Sequence, residues 1–112
     1  MFLQTSRSNN TGLLMLCDVA LGNMYERYHA DYIDKLPKGM HSTKGVGKTE
    51  PDPKEFADLN GAKVPCGKGV KPERFESDKS LRSDLLYNEY IVYDIAQVKS
   101  QYLLKVKFNY KI

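Results

Sequence analysis

One glutamate, Glu89, lies inside LLYNEYIVY, a run made almost wholly of aromatic and branched aliphatic residues. This composition is typical of a buried β-strand. Because side chains alternate along a strand, Glu89 shares one face with Tyr87, Ile91, Tyr93 and Ile95. We expect the carboxylate to lie among apolar neighbours, where it is either a hydrogen-bonded structural residue or a functional one. The pattern alone favours the structural interpretation.

Two other patterns resemble functional motifs but lack the required spacing. A phosphate-binding Walker A loop needs a glycine five positions before the glycine of its GK[ST] end, and in GVGKT (residues 45–49) that position is Ser42. His29 and His41 are not joined by cysteines or carboxylates at metal-ligand spacing. We therefore predict neither a phosphate loop nor a metal site.

The charge balance is mildly basic. The chain has 17 Lys and Arg against 14 Asp and Glu, a net charge of +3, which is too weak to indicate nucleic-acid binding by itself. Four lysines gather around His41, and this cluster is either a solvated loop or the contact surface for a polyanionic substrate or product. Its members are Lys35, Lys38, Lys44 and Lys48.

Length and composition indicate one small globular domain. A chain of 112 residues buries roughly 65% of its unfolded surface. Hydrophobic residues make up 41% and charged residues 28%, which excludes a disordered chain. Cys17 and Cys66 do not make a disulfide framework and are expected to be reduced thiols. No apolar run approaches the ~18 residues that span a bilayer, so we expect no membrane contact.

The first half of the chain is expected to form one strand, one helix and a long loop. Residues 12–22, GLLMLCDVALG, have the composition of a strand buried on both faces. Apolar and aromatic residues between Tyr25 and Leu36 recur at helical spacing, which predicts a helix of about two turns. The glycines and prolines of residues 38–55 predict a long ordered loop.

The second half is expected to be mostly strand. Asn60-Gly61 predicts a tight turn between two strands within residues 57–67, and Pro65 places the second strand at an edge or an end. Residues 68–84 are charged and predict an exposed surface loop. Residues 102–110 alternate apolar and polar, which predicts an antiparallel strand paired with the Glu89 strand. The resulting fold class is α+β, dominated by antiparallel β-sheet.

The same residues resemble the catalytic domain of the poly(ADP-ribose) polymerases, in particular the DNA-damage-dependent nuclear type. Four stretches agree with that family in its order, and together they cover nearly the whole chain. They are GLLMLCDVALGNMYE (12–26), LPKGMHSTKGVGKTEPDP (36–53), LLYNEYIVYDIAQV (85–98) and YLLKVKFNY (102–110).

The resemblance implies the fold, the substrate and three site residues. The fold is the C-terminal half of an ADP-ribosyltransferase fold, and the substrate is NAD, with no metal. Glu89 matches the family's catalytic glutamate, which grips a ribose hydroxyl of NAD and positions the acceptor hydroxyl during elongation. Tyr87 matches a residue that lines the acceptor side. Phe2 falls where the family usually has a tyrosine that stacks on nicotinamide.

The resemblance also sets expectations for the whole chain. We expect residues 1–112 to be a partial catalytic domain, because the family's His-Gly pair and a second stacking tyrosine lie upstream of the matched region. The implied function is transfer of ADP-ribose from NAD to protein acceptors and to growing poly(ADP-ribose) in the nucleus, with DNA bound only by other domains. The alternative is an inactive half domain that acts as an interaction module; a genuine short protein beginning at Met1 is the rival to a fragment.

Overall fold

The computed structural model describes residues 6–110, which fall into two compact units. One unit contains residues 6–20 and 96–110, and the other contains Leu21–Ile95. The elements, in chain order, are β1 (Thr11–Val19), β2 (Met24–Arg27), β3 (Ser42–Gly45), β4 (Glu50–Pro51), β5 (Phe56–Leu59), β6 (Ala62–Pro65), β7 (Gly69–Val70), α1 (Glu73–Ser77), β8 (Glu89–Val92), a 3₁₀ turn (Ile95–Gln97) and β9 (Val98–Lys107). The described residues are therefore mostly strand with little helix, and the prediction of largely antiparallel sheet is confirmed.

The first unit is an antiparallel ribbon of β1 and β9. Its apolar pairs include Leu14 opposite Leu104 and Met15 opposite Leu103. The last two are 58% and 64% exposed, so the prediction that residues 12–22 are buried on both faces is wrong for the described residues. A two-stranded ribbon has no second layer, and burial of either face requires one.

The pairing partner of β9 also differs from the prediction. We expected it to pair with the Glu89 strand, but β9 pairs with β1 over nearly its whole length. The physical reason is length and register: β1 offers a long strand with matching apolar residues, whereas β8 has four residues and is already paired with β3. Backbone bonds between Ala20 and Gln97 and between Asn10 and Phe108 close the two ends of the ribbon.

The second unit is built on a three-stranded sheet in the order β2-β3-β8. β2 is parallel to β3, and β8 is antiparallel to it. The predicted helix between Tyr25 and Leu36 is absent from the described residues, because the backbone that begins it pairs with β3 instead. His41 donates to the Asn23 carbonyl at 2.8 Å and Val46 to the Arg27 carbonyl at 2.8 Å.

Two segments predicted as loops contain regular structure. Residues 38–55 include β3 and the short strand β4, which pairs with β7. Residues 68–84 include α1, whose Phe75 is 7% exposed and meets the ring of Tyr28 edge to face at 6.2 Å. A lone aromatic in a charged segment gave no periodic signal, so the sequence pattern missed this anchor.

The predicted hairpin is confirmed as β5 and β6, joined by Asn60 and Gly61. Both turn residues have positive φ, 53° and 87°, as a two-residue turn of this kind requires. Pro65 ends the second strand, also as predicted.

The described core is small and is centred on β3 and the residues after it. Val46 is 1% exposed, and Ser42 and Thr43 are buried beside it. The Ser83 hydroxyl, also buried, donates to the Val46 carbonyl at 2.5 Å. The Ser42 hydroxyl donates to the Leu21 carbonyl at 2.8 Å, so the buried polar groups of this core are paired.

Residues 45–49 lie directly against residues 85–89 and hold them in place. Lys48 and Thr49 donate their amides to the carbonyls of Leu85 and Leu86 at 3.0 and 2.9 Å. The Asn88 side-chain oxygen accepts the Gly47 amide at 2.9 Å. The two main-chain bonds and the Asn88 side-chain bond together hold the backbone that leads into Glu89.

Gly47 permits this contact because it has no side chain. A Cβ at this position would lie less than 3.0 Å from backbone atoms of Tyr87 and Asn88, which have no flexible end to move away. Residues 45–49 are therefore a packing segment in which glycine is a steric requirement.

We predict that Gly47→Ala separates residues 45–49 from residues 85–89. The overpacking costs about 1–3 kcal/mol, so hydrogen exchange at the Lys48 and Thr49 amides accelerates about tenfold or more. Amide exchange measured by NMR checks this on the 112-residue chain. Gly69→Ala is the matched control, because its Cβ meets only the Thr49 methyl group at 2.9 Å. Equal exchange in both variants would show that the contact is not sterically limited.

Candidate functional site

Glu89 is the first residue of β8, and its register partner is Gly45 on β3. The side chain is exposed, as are those of Tyr87 and Ile91, so the prediction of a carboxylate surrounded by apolar residues is wrong for the described structure. The reason is that β8 is an edge strand of its sheet and, within residues 6–110, makes sheet pairs with β3 alone. The carboxylate is therefore exposed to solvent among the described residues.

Gly45 lies beside Glu89, and the Leu85 side chain packs over it: a Cβ on Gly45 would lie only 2.5 Å from the Leu85 Cδ1 atom. A Cβ on Gly45 would lie 3.6 Å from the Cβ of Glu89, which places both positions on one face of the sheet. Within the described residues, the Glu89 carboxylate has no hydrogen bond and no ion pair. Its oxygens are therefore available to accept hydrogen bonds from a ligand hydroxyl.

Arg27, Gly45 and Glu89 form one row across the three strands, with Gly45 in the middle. The sheet register pairs Arg27 with Gly45, and Gly45 with Glu89, so the three residues share one face. The Arg27 guanidinium donates to Asp31 at 2.9 and 2.5 Å and to the Tyr25 hydroxyl at 3.1 Å. It also lies 5.2 Å from the centre of the Tyr25 ring. The hydrogen bonds and charge of Asp31 raise the pKa of Arg27 above its ordinary value.

A second row on the same face is tied by hydroxyl groups. Thr43 pairs with Tyr25 on β2 and with Ile91 on β8. Its buried hydroxyl lies 2.7 Å from the Tyr93 hydroxyl, so the residues after β8 are held to β3. This bond limits movement of β8 and hence of Glu89.

The opposite face of the sheet carries a separate charged group. Glu26 forms an ion pair with Arg74, which also donates to the Tyr28 hydroxyl at 2.8 Å. The pKa of Arg74 is raised above its ordinary value, mainly by the hydrogen bond to Tyr28. Partial burial lowers this pKa, and the hydrogen bond and charge of Glu26 raise it further. The Lys44 ammonium lies 6.0 Å from the Tyr90 ring. This face joins α1 to the sheet.

The lysine cluster is divided by the structure. Lys44 lies on the face away from Glu89, because its register partners are Glu26 and Tyr90. His41, at the centre of the cluster in sequence, accepts the Asn23 amide at 2.9 Å through Nδ1. Both interpretations of the cluster, solvated loop or polyanion contact, stay predictions.

Tyr87 lies beside Thr49, with which it forms an isolated parallel bridge. Its side chain is 67% exposed, so the ring is accessible to a ligand or to further protein. Phe2 lies outside the described residues. Of the three residues that the sequence indicates, the structure thus describes Glu89 and Tyr87, two positions apart on one segment.

Other features of the described residues supply no second site. A shallow surface cavity is lined by Tyr28, Pro72, Arg74 and Leu81 with several acidic side chains, and Glu89 is not among its lining residues. Residues 6–110 contain no group of three potential metal ligands. No helix in the described part of the chain has the length and apolar character to cross a membrane.

Sequence reasoning missed the residues that support Glu89. Gly45 and Gly47 attracted attention only as parts of a failed phosphate motif, although two glycines separated by one residue are also a signal for close backbone approach. Arg27 and Asp31 are four residues apart, a spacing at which side chains meet on a helix. The predicted helix does not form there, yet the two side chains still make an ion pair. These residues became visible only through the strand register.

Comparison with known proteins agrees with the sequence resemblance. The family model described as poly(ADP-ribose) polymerase catalytic domain matches residues 1–108. Poly(ADP-ribose) polymerase 1 of Gallus gallus is 54% identical over 110 residues, which are 98% of this chain and 10% of the relative. The Xenopus laevis protein of the same name is 59% identical over 100 residues, 89% of this chain and 9% of the relative.

A plant relative shows the same relationship. Poly(ADP-ribose) polymerase 2 of Arabidopsis thaliana is 54% identical over 104 residues, which are 91% of this chain and 15% of the relative. The chain thus spans about a tenth of the length of the first two relatives and somewhat more of the third. Because the family model covers nearly all of the sequence, this chain belongs to the poly(ADP-ribose) polymerase catalytic domain family.

Proposed function

We propose that this chain is the C-terminal half of an ADP-ribosyltransferase fold that transfers ADP-ribose from NAD to protein acceptors and to growing poly(ADP-ribose). The observation that carries the proposal is the Glu89 carboxylate, exposed on an edge strand and unpaired among the described residues, in a chain of this family. NAD enters as a substrate, and the reaction is a group transfer.

The chemistry suits a single fixed carboxylate. The bond between nicotinamide and ribose breaks with its electron pair leaving on nicotinamide, and the ribose carbon gains positive charge. An acceptor hydroxyl then bonds to that carbon and loses its proton. Glu89 stabilises the developing charge, and it orients a ribose or acceptor hydroxyl by accepting its hydrogen bond.

Tyr87 and Phe2 have supporting roles in this proposal. Tyr87, two residues before Glu89 and accessible to solvent, contacts the acceptor side. Phe2 stacks on nicotinamide through its ring, without the hydroxyl of the family's usual tyrosine. The nuclear location is extended from the family, and DNA contact is assigned to other segments.

The exposed apolar ribbon supports the assignment to a larger catalytic unit. Apolar side chains on both faces of β1 and β9 are open to solvent among the described residues. In the proposed function these faces pack against the remainder of the catalytic domain, which also supplies the His-Gly pair and the stacking tyrosine. A two-stranded ribbon needs such a covering layer.

The same ribbon favours one second candidate. A half domain without its catalytic partner surface exposes apolar area of the kind that protein interfaces bury. In this alternative the chain is an inactive interaction module, and Glu89 has no chemical role. Catalysis by the complete gene product separates the two candidates.

We predict that Glu89→Gln abolishes elongation in the full-length polypeptide encoded by the gene. The amide keeps the shape but loses the charge that faces the ribose, so the rate of chain growth falls about a hundredfold or more. Transfer from radiolabelled NAD, resolved by chain length on gels, measures this. Because Glu89 makes no hydrogen bond or ion pair within residues 6–110, folding stability stays within about 0.5 kcal/mol.

Glu73→Gln is the matched control for this experiment. Glu73 is an exposed glutamate in the same unit, on α1. It is expected to retain wild-type chain lengths. If Glu89→Gln also retains them, the catalytic assignment fails, and absence of any transfer by the wild-type polypeptide supports the interaction module.

We predict that Tyr87→Ala shortens the polymer while Tyr87→Phe has a smaller effect. The exposed ring offers contact area to the acceptor chain, and removal of a base- or sugar-contacting aromatic costs about 1–3 kcal/mol. The expected result is a KM for acceptor raised about tenfold and a KM for NAD changed less than about twofold. Initial-rate kinetics with each substrate varied separately provide the measurement. A rise in the NAD KM alone would place Tyr87 on the donor side.

A further inference from the structure

Asn88 lies between Tyr87 and Glu89 in the sequence and differs from both in its contacts. Its side chain is half-buried, whereas the other two side chains are exposed. Its Oδ1 atom accepts the Gly47 amide at 2.9 Å. Asn88 therefore attaches the backbone that carries both site residues to residues 45–49.

Residues 45–49 bend where they pass the site residues. Gly45 is the sheet partner of Glu89, and Thr49 forms the isolated bridge with Tyr87. Five residues on one side thus face three on the other, and extra residues on one side of a pairing force a bend. The pairs at the two ends leave the middle of this bend to be held by other contacts.

Asn88 holds the middle of the bend. Gly47 is the third of the five residues and Asn88 the second of the three, so their hydrogen bond joins the two midpoints. The peptide group between Val46 and Gly47 is buried, and its carbonyl oxygen accepts the Ser83 hydroxyl at 2.5 Å. Since Asn88 accepts the N–H of the same peptide group, both of its polar atoms are paired. This peptide group is therefore a fixed support for the backbone of Asn88.

The Glu89 carboxylate depends on such a support because no contact of its own orients it. In the described part of the chain it makes no hydrogen bond and no ion pair. Its position is then set by its backbone, and the Asn88 bond acts on the adjacent residue. A bond with a purely structural role would stabilise the fold without a separate effect on the reacting atoms.

We propose that Asn88 is a positioning residue for ADP-ribose transfer. By accepting the Gly47 amide, it holds the backbone of Glu89 at the place from which the carboxylate reaches the reacting ribose. This inference rests on the proposed function and deepens it. Asn88 contacts neither substrate nor reacting atoms in this role, and it acts on the rate only through Glu89.

The experiment compares Asn88→Leu with Asn88→Asp in the full-length polypeptide. Leucine is similar in shape but cannot accept the Gly47 amide. Elongation at saturating NAD and acceptor is expected to have a kcat lowered about tenfold or more, because a 1 Å misplacement of a catalytic group costs up to about a hundredfold. The KM for NAD is expected to change less than about twofold, since the lost interaction serves the transition state.

Asn88→Asp tests whether the hydrogen-bond acceptor is the property that matters. A carboxylate accepts the same amide bond, so kcat is expected to stay within about threefold of wild type. Rescue by aspartate and not by leucine is the signature of positioning through the Gly47 bond. If Asn88→Leu keeps the wild-type kcat, or if Asn88→Asp loses as much as Asn88→Leu, the proposal is overturned.

The matched control is Asp58→Leu, which removes a bond of the same kind far along the chain from Glu89. The Asp58 Oδ1 atom accepts the Gly61 amide at 2.9 Å in the turn between β5 and β6. This variant is expected to keep the wild-type kcat and chain lengths.

Asn88→Ser takes the place of Asn88→Leu if the leucine variant does not fold. Its hydroxyl is one bond shorter than the asparagine side chain and leaves room for a water molecule on the Gly47 amide. The same loss of kcat is expected, and a wild-type kcat in this variant overturns the proposal.

A Glu89→Gln arm in the same assay keeps the two hypotheses apart. Loss of elongation in that variant with a wild-type kcat in Asn88→Leu overturns the Asn88 role alone. Full elongation by Glu89→Gln overturns the proposed function, and the Asn88 role with it.

Discussion

The position of Glu89 depends on the close approach of residues 45–49 to residues 85–89. The two backbones are joined by main-chain bonds at Lys48 and Thr49 and by the Asn88 side chain. The contact has no room for a side chain at Gly47, and at Gly45 a Cβ would lie only 2.5 Å from the Leu85 side chain. Both glycines of this short segment thus allow close packing against residues 85–89, which lead into the strand that carries Glu89.

The two faces of the β2-β3-β8 sheet use similar chemistry for different ends. Each face has an arginine paired with a carboxylate and a tyrosine hydroxyl. On one face, Arg74 with Glu26 and Tyr28 ties α1 to the sheet, and Phe75 packs against Tyr28. On the other face, Arg27 is held by Asp31 and by the Tyr25 hydroxyl. Charge pairing therefore joins a helix to the sheet on the first face and orders the residues after β2 on the second.

What the sequence predicts well is what depends on neighbouring residues alone. The turn at Asn60-Gly61 is confirmed because two adjacent residues with positive φ specify it. The helix predicted after Tyr25 is absent from the described residues because the same tyrosine spacing also suits a strand, and the parallel partner β3 lies many residues further along the chain. No local pattern distinguishes these outcomes, since the deciding hydrogen bonds are long-range.

Burial was the property that the sequence predicted least well, and the errors share one cause. The runs at residues 12–22 and 85–93 have the composition of strands covered on both faces, yet the described residues leave much of both exposed. Hydrophobic composition reflects the environment in which a segment works, and strand pairing alone covers only its edges. In the proposed function, the apolar faces of β1 and β9 pack against the remainder of the catalytic domain. In the same proposal, the exposed Glu89 carboxylate becomes enclosed when that remainder of the domain and a sugar ring cover its side of the sheet.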